Sequence, residues 1–420
     1  MSSETEQSRP RLSRQQIYRR RRIVVFGLLG VLLATVVYVP SALAAPLEAA
    51  QPEVAVIEPG ATEAAAVEWP DYGRGAIGLA DGSGVLATNG VEDPGVIASV
   101  TKIVTNLVVL QEHPLAPGEE GPEVTMTQAD VDLWNFWVAD NASVQPVAAG
   151  TVLSQRDLME LSLISSAANY TNSLIVWAFG DMGAFLAEAR TWLDGHGLAA
   201  VQLEEGVGLA PGNTATASDL VTLARIALAD PTIAEIAGTA TAEVPLVGTI
   251  ENTNTVLGVG GVTGLKTGYT TEAGYNLLFS ATVDVDGAPV TLVGALLGGP
   301  SRAATDEAVV RIVASAAANL HRVTAVEAGA ELGAYETEWG GATTAVAAES
   351  AAALVWGDDA VSVAIELEPL ATAEQDERIG TVTVSTPGAP DVEIAAIAGE
   401  ALGDPGPIWR LTHPVELFTG

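Results

Sequence analysis

No cysteine occurs among the 420 residues of this chain, and lysine occurs only twice. Without cysteine there can be no disulfide, thiol nucleophile or thiolate-bound metal, so the chain suits either a reducing compartment or an exported fold that needs no bridges. Histidine is scarce as well. His113, His196, His321 and His413 fall at spacings that match no metal motif, and no Gly-x-Ser-x-Gly segment accompanies them. Those absences disfavour a zinc peptidase and a Ser-His-Asp hydrolase. Positive charge is thin overall: 18 basic residues stand against 52 acidic ones, a formal net charge of −34. A surface of that sign repels phosphate backbones, so no nucleic-acid partner is expected. The surplus acid reads as a solubilising surface and not as a cation site.

Positive charge is densest at the start, where seven of the 18 basic residues lie. Arg9, Arg11, Arg14 and the run Arg19 to Arg22 precede a stretch with no charge between Ile23 and Glu48. The apolar core Ile23–Val39 is longer than a usual signal-peptide core and slightly shorter than a full membrane span, and Ala42-Leu43-Ala44 offers a cleavage site. Residues 1–22 are therefore expected to form a basic cytoplasmic tail and 23–44 a signal peptide or transmembrane anchor. Either way, everything after Ala45 is expected outside.

Residues 45–68, rich in Ala, Pro and Glu without a lasting period, read as a linker. A folded domain is expected over 69–322. AIGLADGSGVLAT (76–88) has the form of a hairpin, and Ser99 to Leu110 spaces its apolar residues as a buried helix does. Segments 154–194 and 216–239 read as helices, the first opening on Ser154-Gln155-Arg156-Asp157 and the second with Ser218 placed to cap. Leu277–Val285 and Val290–Leu297 read as strands joined at Asp286-Gly287, followed by a helix over 303–320. From there the pattern breaks into short Val/Ala/Thr/Glu segments, and 325–420 is expected to form a separate small β domain. Trp134, Phe136 and Trp137 are read as packing residues before any substrate groove.

The two lysines, Lys102 and Lys266, stand against 16 arginines. Arginine stays charged in any protein, whereas burial and a neighbouring cation drive lysine neutral. A chain that uses arginine almost everywhere and lysine at two positions marks those two as candidates for proton transfer or for a compact buried charge. Lys102 ends Ser99-Val100-Thr101-Lys102, and residues three apart on a helix share a face, so its amine reaches the Ser99 hydroxyl. Lys266 opens Lys266-Thr267-Gly268 on the approach to a strand. Each pattern alone is weak; both lysines falling inside the two patterns, in this order, is not.

With these motifs in their surroundings, ASVTKIVT and GLKTGYTTEAGYNLL, and with Asn252-Thr253-Asn254 before the second, the region from Trp69 to about Leu320 resembles the D-alanyl-D-alanine carboxypeptidases of the low-molecular-mass penicillin-binding protein group. The resemblance implies an α/β (α+β) fold: a β-lactamase/transpeptidase-like domain whose antiparallel sheet is flanked by helices, here with the small C-terminal β domain appended. It implies that Ser99 is the nucleophile and Lys102 its base. Lys266, Thr267, Gly268 and Tyr269 would bind substrate, and the Ser99 and Tyr269 N–H groups would form the oxyanion hole. No metal or organic cofactor is implied. The implied partners are peptidoglycan stem peptides, with β-lactams as covalent inhibitors and the membrane met through the N-terminal segment. The implied place is the bacterial cell envelope, extracytoplasmic, either membrane-anchored or secreted.

The family's Ser-x-Asn motif falls on LISSAANYTN, where Ser166-Ala167-Ala168 supplies the serine, expected to relay the deacylating water, but no asparagine. Asn169, one residue on, is the candidate substitute. EEGVGLAPGN likewise carries Val207 where the family has serine. These departures keep a rival open, an inactive homologue that binds cell-wall peptides. A β-lactamase needs a deacylating glutamate soon after the second motif, and Ser166 to Asp181 contains none.

Overall fold

Ser13 opens the first helix through a capping box, its hydroxyl accepting from the Gln16 N–H while Gln16 answers on the Ser13 N–H. In the computed structural model, which describes residues 13–60 and 62–419, this helix (α1) runs Arg14–Ala44 without a break. Of the expected basic tail, residues 1–12, with Arg9 and Arg11, lie outside the described residues. The apolar side chains of α1 face away from the rest of the chain: Phe26, Leu29, Leu32 and Val36 are all exposed. The Ala42-Leu43-Ala44 tripeptide is helical.

Residues 45–68, expected as a linker, pair with the C-terminal sheet near their start. Ala50 and Leu370 exchange backbone hydrogen bonds of 2.7 and 3.0 Å, and Glu53–Val54 pairs as an edge strand with Glu331–Glu336. Two residues are too short to show a period, and their partners lie far along the chain.

A five-stranded antiparallel sheet follows, in the order Val262–Thr270, Gly274–Val285, Ala288–Gly299, Arg74–Leu79, Ala87–Asn89. Its central strands are apolar on both faces because both are covered. Side chains alternate across a strand, so Leu278 and Val293 join a core with the helices of one side, while Leu277, Phe279 and Leu292 pack against the other. The first side carries α2 (Thr101–Glu112), α3 (Gln128–Ala139), α4 (Gln155–Leu163), α5 (Ala168–Phe179), α6 (Met182–Gly195), α7 (Ala217–Ala229) and α8 (Pro231–Ala237). The second carries α9 (Arg302–Ala317). The hairpin turn at Asp286-Gly287 has both residues at positive φ, 54° and 85°, as a tight two-residue turn requires.

Ser154 caps α4 in a box with Asp157. For α7 the cap is Thr216, in a box with Asp219, and Ser218 instead donates to Glu92. Both residues precede the same apolar run, and the choice between them depends on the backbone turning extended at Thr216, with φ −78° and ψ 161°.

Beyond α9 the chain turns to strands. Leu320–Val326 pairs with Ala351–Trp356, and Glu331–Glu336, Ala342–Ala347, Val392–Ala398, Arg378–Ser385 and Ser362–Leu367 complete a six-stranded antiparallel sheet that starts from Glu53–Val54. The β domain expected over 325–420 ends on two helices, α10 (Gly406–Thr412) and α11 (Pro414–Phe418), each with proline in its first turn. α10 packs on the C-terminal end of α1: Tyr38 Oη donates to the Leu411 carbonyl at 2.8 Å and Arg410 Nη1 to the Ala45 carbonyl at 2.6 Å.

Candidate active site

Ser99 lies in a single 3-10 turn, Ala98–Val100, that leads directly into α2. Two glycine segments clamp this turn. A Cβ on Gly268 would stand 2.8 Å from the Ile97 carbonyl oxygen and 3.2 Å from the Ser99 nitrogen, and one on Gly208 would stand 2.4 Å from the Ala98 oxygen. Only glycine lets both backbones approach this closely. Ala98, directly before the serine, is held at φ 49°, in the left-handed region that costs a non-glycine residue about 1 kcal/mol or more.

Lys102 is in the first turn of α2 and only 1% exposed. Its Nζ donates to Ser99 Oγ at 2.9 Å and to the Val207 carbonyl at 2.5 Å. Burial pushes its pKa down to about 8, against the opposing attraction of Glu205. Val207 therefore meets the site through its backbone, and the side-chain change at that position leaves the contact in place. Glu205 sets that carbonyl: its carboxylate accepts from the successive N–H groups of Val207, Gly208, Leu209 and Ala210 and from Asn213 Nδ2. Such a ring of donors fixes a loop around one anion.

The opposite wall is the edge strand Val262–Thr270. Lys266 is also 1% exposed, donates to the Thr267 carbonyl at 3.1 Å, and stands 3.5 Å from the hydroxyls of Thr253 and Thr267. Its pKa is lowered by burial first, then by the charges of Lys102 and Arg302. Thr253 and Thr267 share a hydrogen bond of 2.6 Å, and Tyr269 stacks on Tyr275 with ring centres 4.3 Å apart. The result is a cavity of about 190 Å³ with Ser99 and Lys102 on one side and Thr267, Gly268 and Tyr269 on the other.

The third wall is the bend between α4 and α5. Ser166, held at φ 60°, lines the cavity, and so does Ala168. Asn169 does not reach it. Its carboxamide binds the backbone of Gln145 twice, accepting from the N–H at 3.1 Å and donating to the carbonyl at 3.0 Å. One step along a helix turns a side chain by about 100°, which takes Asn169 away from the cavity and into loop packing. Phe136 is 61% exposed and lines a separate groove beside α3 with Met126 and Trp177, away from Ser99.

Arg302, at the start of α9, and Thr253 also line the cavity, and Glu205 braces it from beneath. Arg302 carries no local signal in the sequence, because only the packing of α9 brings it there. Among the described residues there is no cluster of three or more side chains suited to a metal.

Residues 77–295 match the family model for D-alanyl-D-alanine carboxypeptidases. No curated protein matches the chain in sequence. Among solved structures, the peptidoglycan synthesis regulatory factor (PBP3) from Streptococcus pneumoniae is similar at TM-score 0.61 and 19% identity, covering 78% of this chain and 98% of that one. Penicillin binding protein 5 from Haemophilus influenzae is similar at TM-score 0.58 and 20% identity, over 83% of this chain and 100% of that one. At those identities the likeness is one of fold. A mutant of a Streptomyces DD-transpeptidase is 26% identical at TM-score 0.52, covering 58% of this chain and 96% of that one.

Proposed function

The chain belongs to the D-alanyl-D-alanine carboxypeptidase family, and we propose that Ser99, Lys102, Ser166 and Lys266 carry that family's reaction in it. It is a serine-type D-Ala-D-Ala carboxypeptidase that acts on peptidoglycan peptides and is open to covalent inhibition by β-lactams.

In the proposed mechanism, neutral Lys102 takes the Ser99 proton as Oγ attacks the penultimate D-Ala carbonyl carbon. The Ser99 and Tyr269 N–H groups receive the developing oxyanion. Protonation of the departing amine from Lys102 releases the terminal D-Ala and leaves an acyl-serine. Water, relayed by Ser166, then cleaves that ester and returns the hydroxyl to Ser99. Thr267 and Arg302, which line one end of the cavity, hold the terminal carboxylate, and Lys266, buried behind that wall and bonded to the Thr267 carbonyl, adds its charge from there. The observation that carries the assignment is the 2.9 Å hydrogen bond between buried Lys102 and Ser99. A lysine buried against a hydroxyl with its pKa pushed to about 8 is a base prepared for this step.

The folded region is assigned to the outer side of a bacterial membrane, with α1 retained as its anchor. What supports retention is that α1 is apolar and exposed from Ile23 to Val37, while Tyr38 and Ala45 near its end are bonded to the C-terminal helices.

The test uses fluorescent penicillin and a pentapeptide ending in D-Ala-D-Ala. Stable labelling that Ser99→Ala abolishes, together with D-Ala release, is the expected outcome. A protein that takes no label and releases no D-Ala overturns the assignment, and rapid turnover of the antibiotic points to a β-lactamase.

A further inference from the structure

By the family resemblance the third wall should carry the Ser-x-Asn asparagine that holds the substrate amide, and that side chain is missing here. Ala168 lines the cavity at that point with a methyl group, and Asn169 is committed to Gln145. Resting on the carboxypeptidase reading, we propose that Asn141 supplies the missing carboxamide from the loop after α3 and binds the backbone amide of the substrate beside Ser99.

Asn141 lines the same cavity as Ser99, Ser166 and Ala168. Asn141 is exposed, and among the described residues its carboxamide is bonded to no protein group, so it is free to turn to a ligand; its backbone N–H donates to the Val138 carbonyl at 3.2 Å. It is held at φ 55°, a left-handed backbone that asparagine tolerates better than most residues. A carboxamide offers donors and an acceptor together, which matches both groups of a peptide bond; the Ser166 hydroxyl offers less.

The polar groups around the start of α5 hold this loop in place. The Ala168 N–H donates to the Ser143 carbonyl at 2.7 Å, Ser143 Oγ to the Ser165 carbonyl at 3.1 Å, and Tyr170 Oη to the Pro146 carbonyl at 2.7 Å. Asn169 adds its two bonds to Gln145. Asparagine one residue late on α5 thus docks the loop that presents another asparagine to the cavity.

Two variants separate this role from packing. Asn141→Gly keeps the left-handed backbone and removes the carboxamide; Asn141→Asp keeps the shape and removes the N–H donors. Each is expected to lower kcat/KM for D-Ala release about tenfold, the worth of one hydrogen bond. Ser99 is expected still to take fluorescent penicillin, and the thermal midpoint to stay unchanged. Adding Ala168→Asn to Asn141→Gly is expected to recover most of the loss. Activity of Asn141→Gly within twofold of the parent overturns the proposal, as does a loss matched by a fall in thermal midpoint, or a folded double variant that recovers nothing. If the double variant does not fold, Asn141→Asp decides alone, and activity within twofold again overturns it. A parent protein that neither labels nor releases D-Ala overturns the carboxypeptidase reading and this proposal together, whereas an active parent indifferent to Asn141 overturns this one only.

Discussion

A lysine works as a general base only if it gives up its proton near neutral pH, and Lys102 is placed to do so. Its pKa of about 8 means that below that pH the ammonium dominates and cannot accept the Ser99 proton. The rate of Ser99 acylation by penicillin is therefore expected to rise about tenfold per pH unit on the acid side and to level off above about 8, the ordinary behaviour of one required deprotonation. Lys102→Arg is expected to abolish acylation at every pH, because a guanidinium does not deprotonate in a protein. A flat profile across pH 6 to 9, or recovery of Lys102→Arg at high pH, as measured by stopped-flow labelling, would falsify the base assignment. The Ser99 and Lys102 pair is legible in the sequence because it is local, three residues on one helical turn. Glu205, Arg302 and Asn141 are not legible in the same way. Each enters the site through a tertiary contact, and only the Asp140-Asn141 pair, a turn signal after a helix, hints at the left-handed backbone that Asn141 adopts.

At the scale of elements, the site is a close approach of three pieces of backbone: the Ser99 turn, the Gly208 segment, and the edge strand Val262–Thr270. The glycine in Lys266-Thr267-Gly268 has a steric reason that no local sequence pattern contains, since its missing Cβ leaves room for the Ile97 carbonyl and the Ser99 nitrogen. Gly268→Ala should push the strand from the Ser99 turn by several tenths of an ångström while the protein stays folded, because Thr267 and Tyr269 keep their partners on the neighbouring strand. A misplacement of about 1 Å at a nucleophile costs about 100-fold in rate, so a shift of several tenths is expected to cost about tenfold. Steady-state D-Ala release beside a melting curve checks this, and a variant with parental kcat/KM would show that the contact does not set the geometry. The strands and helices around the site are largely legible because their apolar periods are long. The short pieces are not: Glu53–Val54 and the two terminal helices are too brief to carry a period and exist through their partners.

At the scale of the whole molecule, the first described helix meets the segment of the last ones. Beyond its arginines α1 carries exposed apolar side chains, which lipid would cover, and its uncharged helical stretch from Ile23 to Ala44, about 33 Å at 1.5 Å per residue, is long enough to span a hydrocarbon core of about 30 Å. At its C-terminal end Ala42 is fully buried, Tyr38 and Ala45 are bonded to the segment around α10, and Ile408, Val415 and Phe418 stand exposed on the same terminal helices. Cleavage after Ala44 would remove Tyr38 and Ala42 from this contact and leave α10 and α11 with little to pack on. The retained state is therefore expected: intact mass of the membrane-extracted protein should include residues 1–44, and limited proteolysis should spare 406–418 in the full chain but cut there in a chain that starts at Pro46. A mature protein that begins at Ala45, soluble without detergent and with its last helices still protected, would show that α1 is a removable signal and that the end of the chain holds itself together without it.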